Sequence, residues 1–234
     1  MKRHIMISDI HGHLDPFMRL LKEVNYSPNH DQLILIGDYV DRGPKSKQVI
    51  EFVRELVNEG AVALRGNHDD WFFQFITDPL EVSKNFYIHG GIETIESYVG
   101  DLRHSDFNRL ETEEWAEYIR SNHAEDVEFL KNLNYYYEHD DFICVHAGID
   151  PNHENWKDTS TRDFLWIRDE FIKATNLPTE KTIIFGHTPT VNIQKSPDIY
   201  FAANKIGIDG GYTFGYQMNC LIYENQSFKS CTIK

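Results

Sequence analysis

At 234 residues, with 41% hydrophobic and 26% charged side chains, the chain can bury a real core and is excluded from the disordered class. Its 23 basic and 37 acidic residues leave a net charge of −14, which argues against a nucleic-acid partner because that wants a basic face. The longest wholly apolar runs are about four or five residues, far below the roughly 20 that a membrane helix needs, so no membrane partner is expected.

The opening Met1-Lys2-Arg3-His4-Ile5-Met6-Ile7 turns polar at Ser8-Asp9, too soon for the apolar region of a signal peptide. Cys144, Cys220 and Cys231 are widely spaced, with no C-x-x-C pair, so neither a disulfide framework nor a thiolate zinc site is expected. Both points suit a cytoplasmic setting. The length suits one α/β domain over residues 1–234, with room for an insertion.

In chain order, the first 66 residues read as two β-α-β crossings. His4–Ile7 is a short apolar strand. The helix after it takes Asp15 as its cap and Pro16 at its first position, and Phe17, Leu20, Leu21 and Val24 fall on one face. Leu33–Ile36 is an unbroken apolar run of the kind buried on both sides. A second helix places Val49, Phe52, Val53 and Leu56 on one face and stops at Gly60, and Ala61–Leu64 is the third strand. Parallel strands joined by helices follow.

Residues 70–134 change character and read as a helical insertion. The segment 93–128 holds 11 acids against 3 arginines, which reads as a solvated helical face, and Gly90-Gly91 as a turn before the helix at Glu93. A bolder consequence of that acidity is poor access for polyanionic substrates. Strands resume at Tyr135–Tyr137, Phe142–Val145, Thr182–Phe185 and around Ile199–Phe201, before a hairpin turning near Asn225.

Each apolar strand runs into a polar cluster at its C-terminal end. The clusters are Ser8-Asp9-Ile10-His11-Gly12, Gly37-Asp38-Tyr39-Val40-Asp41-Arg42-Gly43, Arg65-Gly66-Asn67-His68-Asp69, His146-Ala147-Gly148 and Gly186-His187-Thr188. Ligands of α/β sheets bind beyond the carboxyl ends of the strands, so the clusters are expected to converge. Their carboxylates and imidazoles, without thiolates, suit Mn, Fe or Zn. Six donors exceed what one tetrahedral zinc needs, and two ions sharing a carboxylate is the natural arrangement.

Two divalent ions against Asp9, Asp38 and a bridging hydroxide leave a positive excess of about one charge, and Asn67 as a neutral ligand preserves it. Arg42 adds to that excess, so the site suits a phosphate dianion. His68 with Asp41 reads as a proton-donating dyad for the departing alkoxide. Taken alone, Asp9 and Asp38 would be ordinary helix caps, and His146 and His187 satisfied core histidines. His4, His13, His30, His104, His123, His139 and His153 read as surface or structural residues, and Arg65 as a brace that holds its loop by an ion pair.

Asp-x-His-Gly, Gly-Asp-x-Val-Asp-Arg-Gly, Arg-Gly-Asn-His-Asp, His-Ala-Gly and Gly-His-Thr, in that order from Ile7 to about Gly211, resemble the calcineurin-like metallophosphoesterases, and within them the bacterial-type phosphoprotein phosphatases. The resemblance implies a metallophosphoesterase-type sheet sandwich flanked by helices. It places Asp9, His11 and Asp38 on one ion, and Asp38, Asn67, His146 and His187 on the other. Arg42 and Asn67 are expected to meet substrate, and Phe164–Arg168 resembles the segment that supplies a second phosphate-binding arginine, Arg168. Ser8 and Asp69 depart from the usual Gly and Glu, at positions that are not ligands.

The activity implied is metal-dependent phosphomonoester hydrolysis, foremost of phosphoserine and phosphothreonine in proteins, by direct attack of hydroxide held by the two ions. The alternative is a symmetric bis(5'-nucleosyl)-tetraphosphatase, whose bacterial enzymes share nearly all these motifs. A catalytically dead phosphoprotein-binding scaffold is disfavoured because all six ligands and the dyad are present, and a nuclease by the charge and the Asp41-Arg42 pair.

Overall fold

Alternation along the strands sets the layers. This computed structural model describes residues 2–100 and 112–234. Strands β1 (Arg3–Ile7), β2 (Asp31–Leu35) and β3 (Val62–Ala63) are parallel neighbours. A second group comprises β4 (Tyr136–Glu138), β5 (Phe142–Val145), β6 (Thr182–Phe185), β7 (Tyr200–Phe201) and β8 (Lys205–Gly207), in the order β4-β5-β6-β8-β7. The final hairpin, β9 (Met218–Glu224) and β10 (Ser227–Ile233), returns to the first group and completes the order β10-β9-β1-β2-β3. Its turn residues Asn225 and Gln226 both have φ above zero, 50° and 59°, as a two-residue hairpin matching strand twist requires.

Met6, Ile34 and Ile36 point between the two sheets, where they share a core with Phe142, Cys144, Ile184 and Ile206. Their neighbours Ile5, Ile7, Leu33 and Leu35 face the opposite way, under α1 (Leu14–Glu23) and α2 (Ser46–Asn58). On the far side, Ile143, Val145, Ile183 and Phe185 pack against Trp156, Phe164 and Phe171. A slip of one residue would exchange these faces; both are apolar, so the fit of particular side chains in each core, and not a polar alternation, holds the register. The result is the layered sandwich expected from the sequence. No helix among the described residues is long and apolar enough to cross a membrane.

The start of α1 differs from the expected one. Its cap position is His13, with no side-chain cap, so Asp15 and Pro16 lie inside the first turn and Asp15 pairs instead with Lys45 at 2.7 Å. The third strand is shorter than 61–64, and Leu64 forms a lone parallel bridge with Asn134.

The helical insertion begins earlier than residue 70. Helices α3 (Asn67–Thr77), α4 (Pro79–Ile88), α5 (Gly91–Val99), α6 (Thr112–Asn122) and α7 (Ala124–Lys131) occupy it among the described residues. Phe72, Phe75, Phe86 and Tyr98 interlock, with Phe75–Phe86 centroids 4.8 Å apart, and continue the core of α1 and α2. Asp126 departs from the solvated acidic face. It is buried, meets Arg54 at 2.6 Å and accepts a hydrogen bond from Tyr98 Oη, while Arg54 also pairs with Glu125. The expected readings of the acidic stretch over 101–111, and of His104, lie outside the described residues.

Candidate active site

The loops that leave β1, β2 and β6 are bent by unusual backbone. Of the ten non-glycine residues with positive φ among the described residues, six are Asp9, His11, Asp38, Asp41, Arg42 and His187. Each such conformation costs about 1–3 kcal/mol and persists only where its surroundings impose it. Here Asp9 N–H donates to Gly37 O at 3.1 Å and His11 N–H to Asp38 O at 2.9 Å. The Asp69 carboxylate accepts from the amides of Asp38, Tyr39 and Gly66 at 2.8–2.9 Å, so the residue that replaces the usual Glu acts as a loop brace. Burial, with Asp38 nearby, pushes Asp69 up to about 7. Gly66 is required by close approach, because a Cβ there would lie 2.1 Å from Asp38 Oδ1.

Asp38 sits at the centre. Its Oδ2 is 3.6 Å from His11 Nε2 and its Oδ1 is 3.4 Å from His146 Nε2. It thereby belongs to two buried donor groups, His11–Asp38–His68 and Asp38–His146–His187. His11 Nδ1–H donates to Val40 O and His146 Nδ1–H to Ile36 O, both at 2.8 Å. These backbone partners fix the rings so that Nε2 of each faces the pocket side. Asn67 Oδ1 lies 2.9 Å from His146 Nε2 and 2.8 Å from His187 Nδ1. Asp9 turns towards β6, where its carboxylate accepts from His187 N–H at 3.1 Å.

The electrostatics follow from this crowding. Burial opposes ionising Asp38, yet His146, His68 and His11 hold its carboxyl well below the ordinary range. Burial also lowers a histidine, but Asp38 and Asp9 hold His146 up at about 9. Burial, then Arg42, pushes His11 well below its usual value. Burial raises Asp9, and it raises Asp209 further with Asp9 adding to the effect.

The donor set fits divalent cations on two counts. Among the described residues, His187 Nε2 is buried without a hydrogen-bond partner, an orphaned polar atom at the edge of the group. The Arg42 guanidinium also lies 2.6 Å from His11 Nε2 and 2.8 Å from His68 Nε2, so a cationic group is already seated on two of the imidazoles. His68 Nδ1–H donates to Asp41 Oδ2 at 2.6 Å. Arg168 donates to His187 O and Thr188 Oγ1.

Asp9, Asp38, Arg42, Asn67, His68, Arg168 and His187 line one cavity of about 480 Å³, while His11, Asp41 and His146 lie buried behind it. Arg65 braces its loop as expected, through Asp70 at 2.8 Å and the carbonyls of Leu130 and Lys131. None of His4, His13, His30, His123, His139 and His153 lines the cavity.

The sequence reading missed several lining residues. Asp209 follows the apolar Ile206-Gly207-Ile208 and obeys the same strand-then-acid rule as the other clusters, so that signal was present. Trp71, His89, Trp166, Phe214 and Tyr216 form aromatic walls, with Trp71 and Trp166 centroids 4.6 Å apart. Nothing local marks these rings, because their meeting joins the insertion to the far side of the sandwich.

A family profile described as calcineurin-like phosphoesterase matches residues 3–220. The chain is 28% identical over 241 residues to the asymmetrical bis(5'-nucleosyl)-tetraphosphatase PrpE of Anoxybacillus flavithermus, covering 93% of this chain and 89% of that one. It is 27% identical over 229 residues to serine/threonine-protein phosphatase 1 of Salmonella typhimurium, covering 92% and 90%. Its fold matches a protein serine/threonine phosphatase from Saccharomyces cerevisiae with a TM-score of 0.63 at 14% identity, over 100% of this chain and 80% of that one.

Proposed function

The chain belongs to the calcineurin-like phosphoesterase family and is a hydrolase of phosphate esters, and from that premise we propose a metal-dependent phosphomonoesterase whose leading substrates are phosphoserine and phosphothreonine in proteins. The whole of residues 1–234 is taken as one metallophosphoesterase domain. A cytoplasmic setting belongs to the same proposal, in keeping with the free thiols of Cys144, Cys220 and Cys231. The observation that carries the reading is Asp38, placed between two buried imidazole groups and beside the cavity that Arg42 lines.

Two divalent cations (Mn, Fe or Zn), held by Asp9, His11 and Asp38 and by Asp38, Asn67, His146 and His187, would supply an activated water and offset the charge of the phosphate. The chain's own groups do the rest. With His11 Nε2 given to a cation, Arg42 is released towards phosphate oxygens, where its planar fork fits, and Arg168 and Asn67 hold the opposite side. Once Arg42 has turned away, His68 Nε2 is free to take a proton from solvent, and it passes that proton to the departing ester oxygen. Asp41 keeps Nδ1–H in place and so holds the direction of the ring.

A second reading is favoured by the aromatic walls. Trp71, Trp166, Phe214 and Tyr216 offer flat faces to a nucleobase, which suits a bis(5'-nucleosyl)-tetraphosphate. The deciding experiment compares phosphopeptide and diadenosine tetraphosphate turnover by protein of known metal content. Negligible phosphopeptide hydrolysis beside rapid dinucleotide cleavage would reverse the order. Two nucleoside diphosphates as products would mark symmetrical cleavage, and a triphosphate with a monophosphate the asymmetrical kind. No hydrolysis of either substrate by metal-loaded protein would end both readings.

A further inference from the structure

Asp41 has two carboxylate oxygens, and both are spoken for. Oδ2 accepts from His68 Nδ1–H at 2.6 Å, and Oδ1 accepts from the hydroxyl of Thr94 at 2.7 Å. Thr94 is the fourth residue of α5, in the helical insertion, far along the chain from the loop after β2. Its Oγ1 also accepts the Asp41 amide N–H at 2.8 Å, so one hydroxyl grips the backbone and the carboxylate of the same residue. Ser46 Oγ lies 3.1 Å from Thr94 Oγ1 and 3.2 Å from the Asp41 amide. Asp41, Thr94 and Ser46 are all fully buried.

The grip bears on backbone that would not hold its shape unaided. Asp41 and Arg42 are consecutive non-glycine residues at φ 72° and 69°. The insertion fixes both, since Gly90 O accepts the Arg42 amide at 3.0 Å one turn before Thr94. Gly90 itself has φ 101°, and a Cβ there would lie 2.6 Å from Arg42 N.

We infer that Thr94 is a positioning residue for the acid dyad: by fixing the carboxylate plane of Asp41 it aims the His68 imidazole at the leaving group. The inference rests on the dyad reading above. Without the Thr94 hydroxyl, Asp41 loses two buried hydrogen bonds and its carboxylate can rotate, and His68 loses its fixed direction.

The test uses full-length, metal-loaded protein and two small esters. p-Nitrophenyl phosphate has an acidic leaving group that needs no proton, whereas an alkyl phosphate needs one. In Thr94→Val, kcat for the alkyl ester is expected to fall roughly tenfold or more, with less than about threefold loss on the nitrophenyl ester. Thr94→Ser restores both rates, and metal content is unchanged throughout. The downfield proton resonance of the His68–Asp41 bond shifts in the valine variant and returns in the serine one. If the valine variant does not fold, Thr94→Cys, with a weaker donor of similar size, is read on the same pair of esters.

His68→Asn separates the two levels of the argument. Equal losses on both esters in His68→Asn would overturn the dyad and Thr94 with it. A leaving-group effect in His68→Asn that is missing from the Thr94 variants would overturn Thr94 alone, as would failure of serine to restore the rate.

Discussion

The loops at the strand ends and the helical insertion contribute to the site by opposite physics. The loops carry most of the polar donors on backbone that is costly to hold, with Asp9, His11, Asp38, Asp41, Arg42 and His187 all at positive φ. The insertion is built of ordinary helices held by apolar rings such as Phe72, Phe75 and Phe86, and it brings few charged groups to the cavity. Yet it supplies what the loops lack. Gly90 and Thr94 pin Arg42 and Asp41, and Trp71 and His89 close one wall. A strained loop can aim a side chain only when its surroundings impose the shape: the neighbouring loops do so for Asp9, His11 and His187, and the insertion does so for Asp41 and Arg42.

The largest effect should come from the loops. Asp38→Asn removes the carboxylate common to both donor groups, and kcat should fall on the order of 10³-fold together with the metal bound per chain. Retained metal with near-normal turnover would mean that the shared carboxylate is dispensable. His68→Asn should lower kcat on an alkyl phosphate about 10²-fold while leaving metal content intact, and an unchanged kcat on that ester would remove the general-acid role.

Gly90→Ala tests whether the insertion reaches the loops. A methyl group pressed against Arg42, on a residue at φ 101°, should cost about 1–3 kcal/mol, and it should raise KM for p-nitrophenyl phosphate more than it lowers kcat. Equal kinetics in that variant would break the claim of coupling.

The smallest effect is expected at the opposite end of the strands, where Arg3 pairs with Asp31 at 2.8 Å. Burial works against the Asp31 charge, but the bonds from Arg3 and the Ser27 amide win and hold its carboxyl below the ordinary value. Its contribution is therefore present above the ordinary carboxylate range and is lost as pH falls through the lowered value. Asp31→Asn should cost about 1 kcal/mol at neutral pH, with kcat unchanged, and the difference from the parent should vanish on acidification. A loss that persisted in acid would mean that packing, and not charge, is what Asp31 provides.

Legibility differed along the chain for a physical reason in each case. That Asp9, His11, Asp38, Asn67, His146 and His187 lie together at one edge was legible because each follows an apolar strand, and parallel strands deliver their ends there. Asp209 obeys that rule and was overlooked because its strand, Lys205–Gly207, is short and broken by Gly207. The start of α1 falls at His13, ahead of the expected cap, and Asp15 turns from its own helix to Lys45, a partner distant in the chain. His89 and Thr94 carry no local mark, being ordinary residues in or beside helices.

The sequence by itself determined the donor types, their order and the unbroken apolar runs that become strands buried on both sides. Periodicity and turn chemistry act between near neighbours, so they survive without a structure. Only the tertiary structure decided that Asp38 lies between His11 and His146, that Arg42 rests on two imidazoles, and that Thr94 holds Asp41. Those contacts join residues from distant segments, and their geometry is fixed by how whole layers pack.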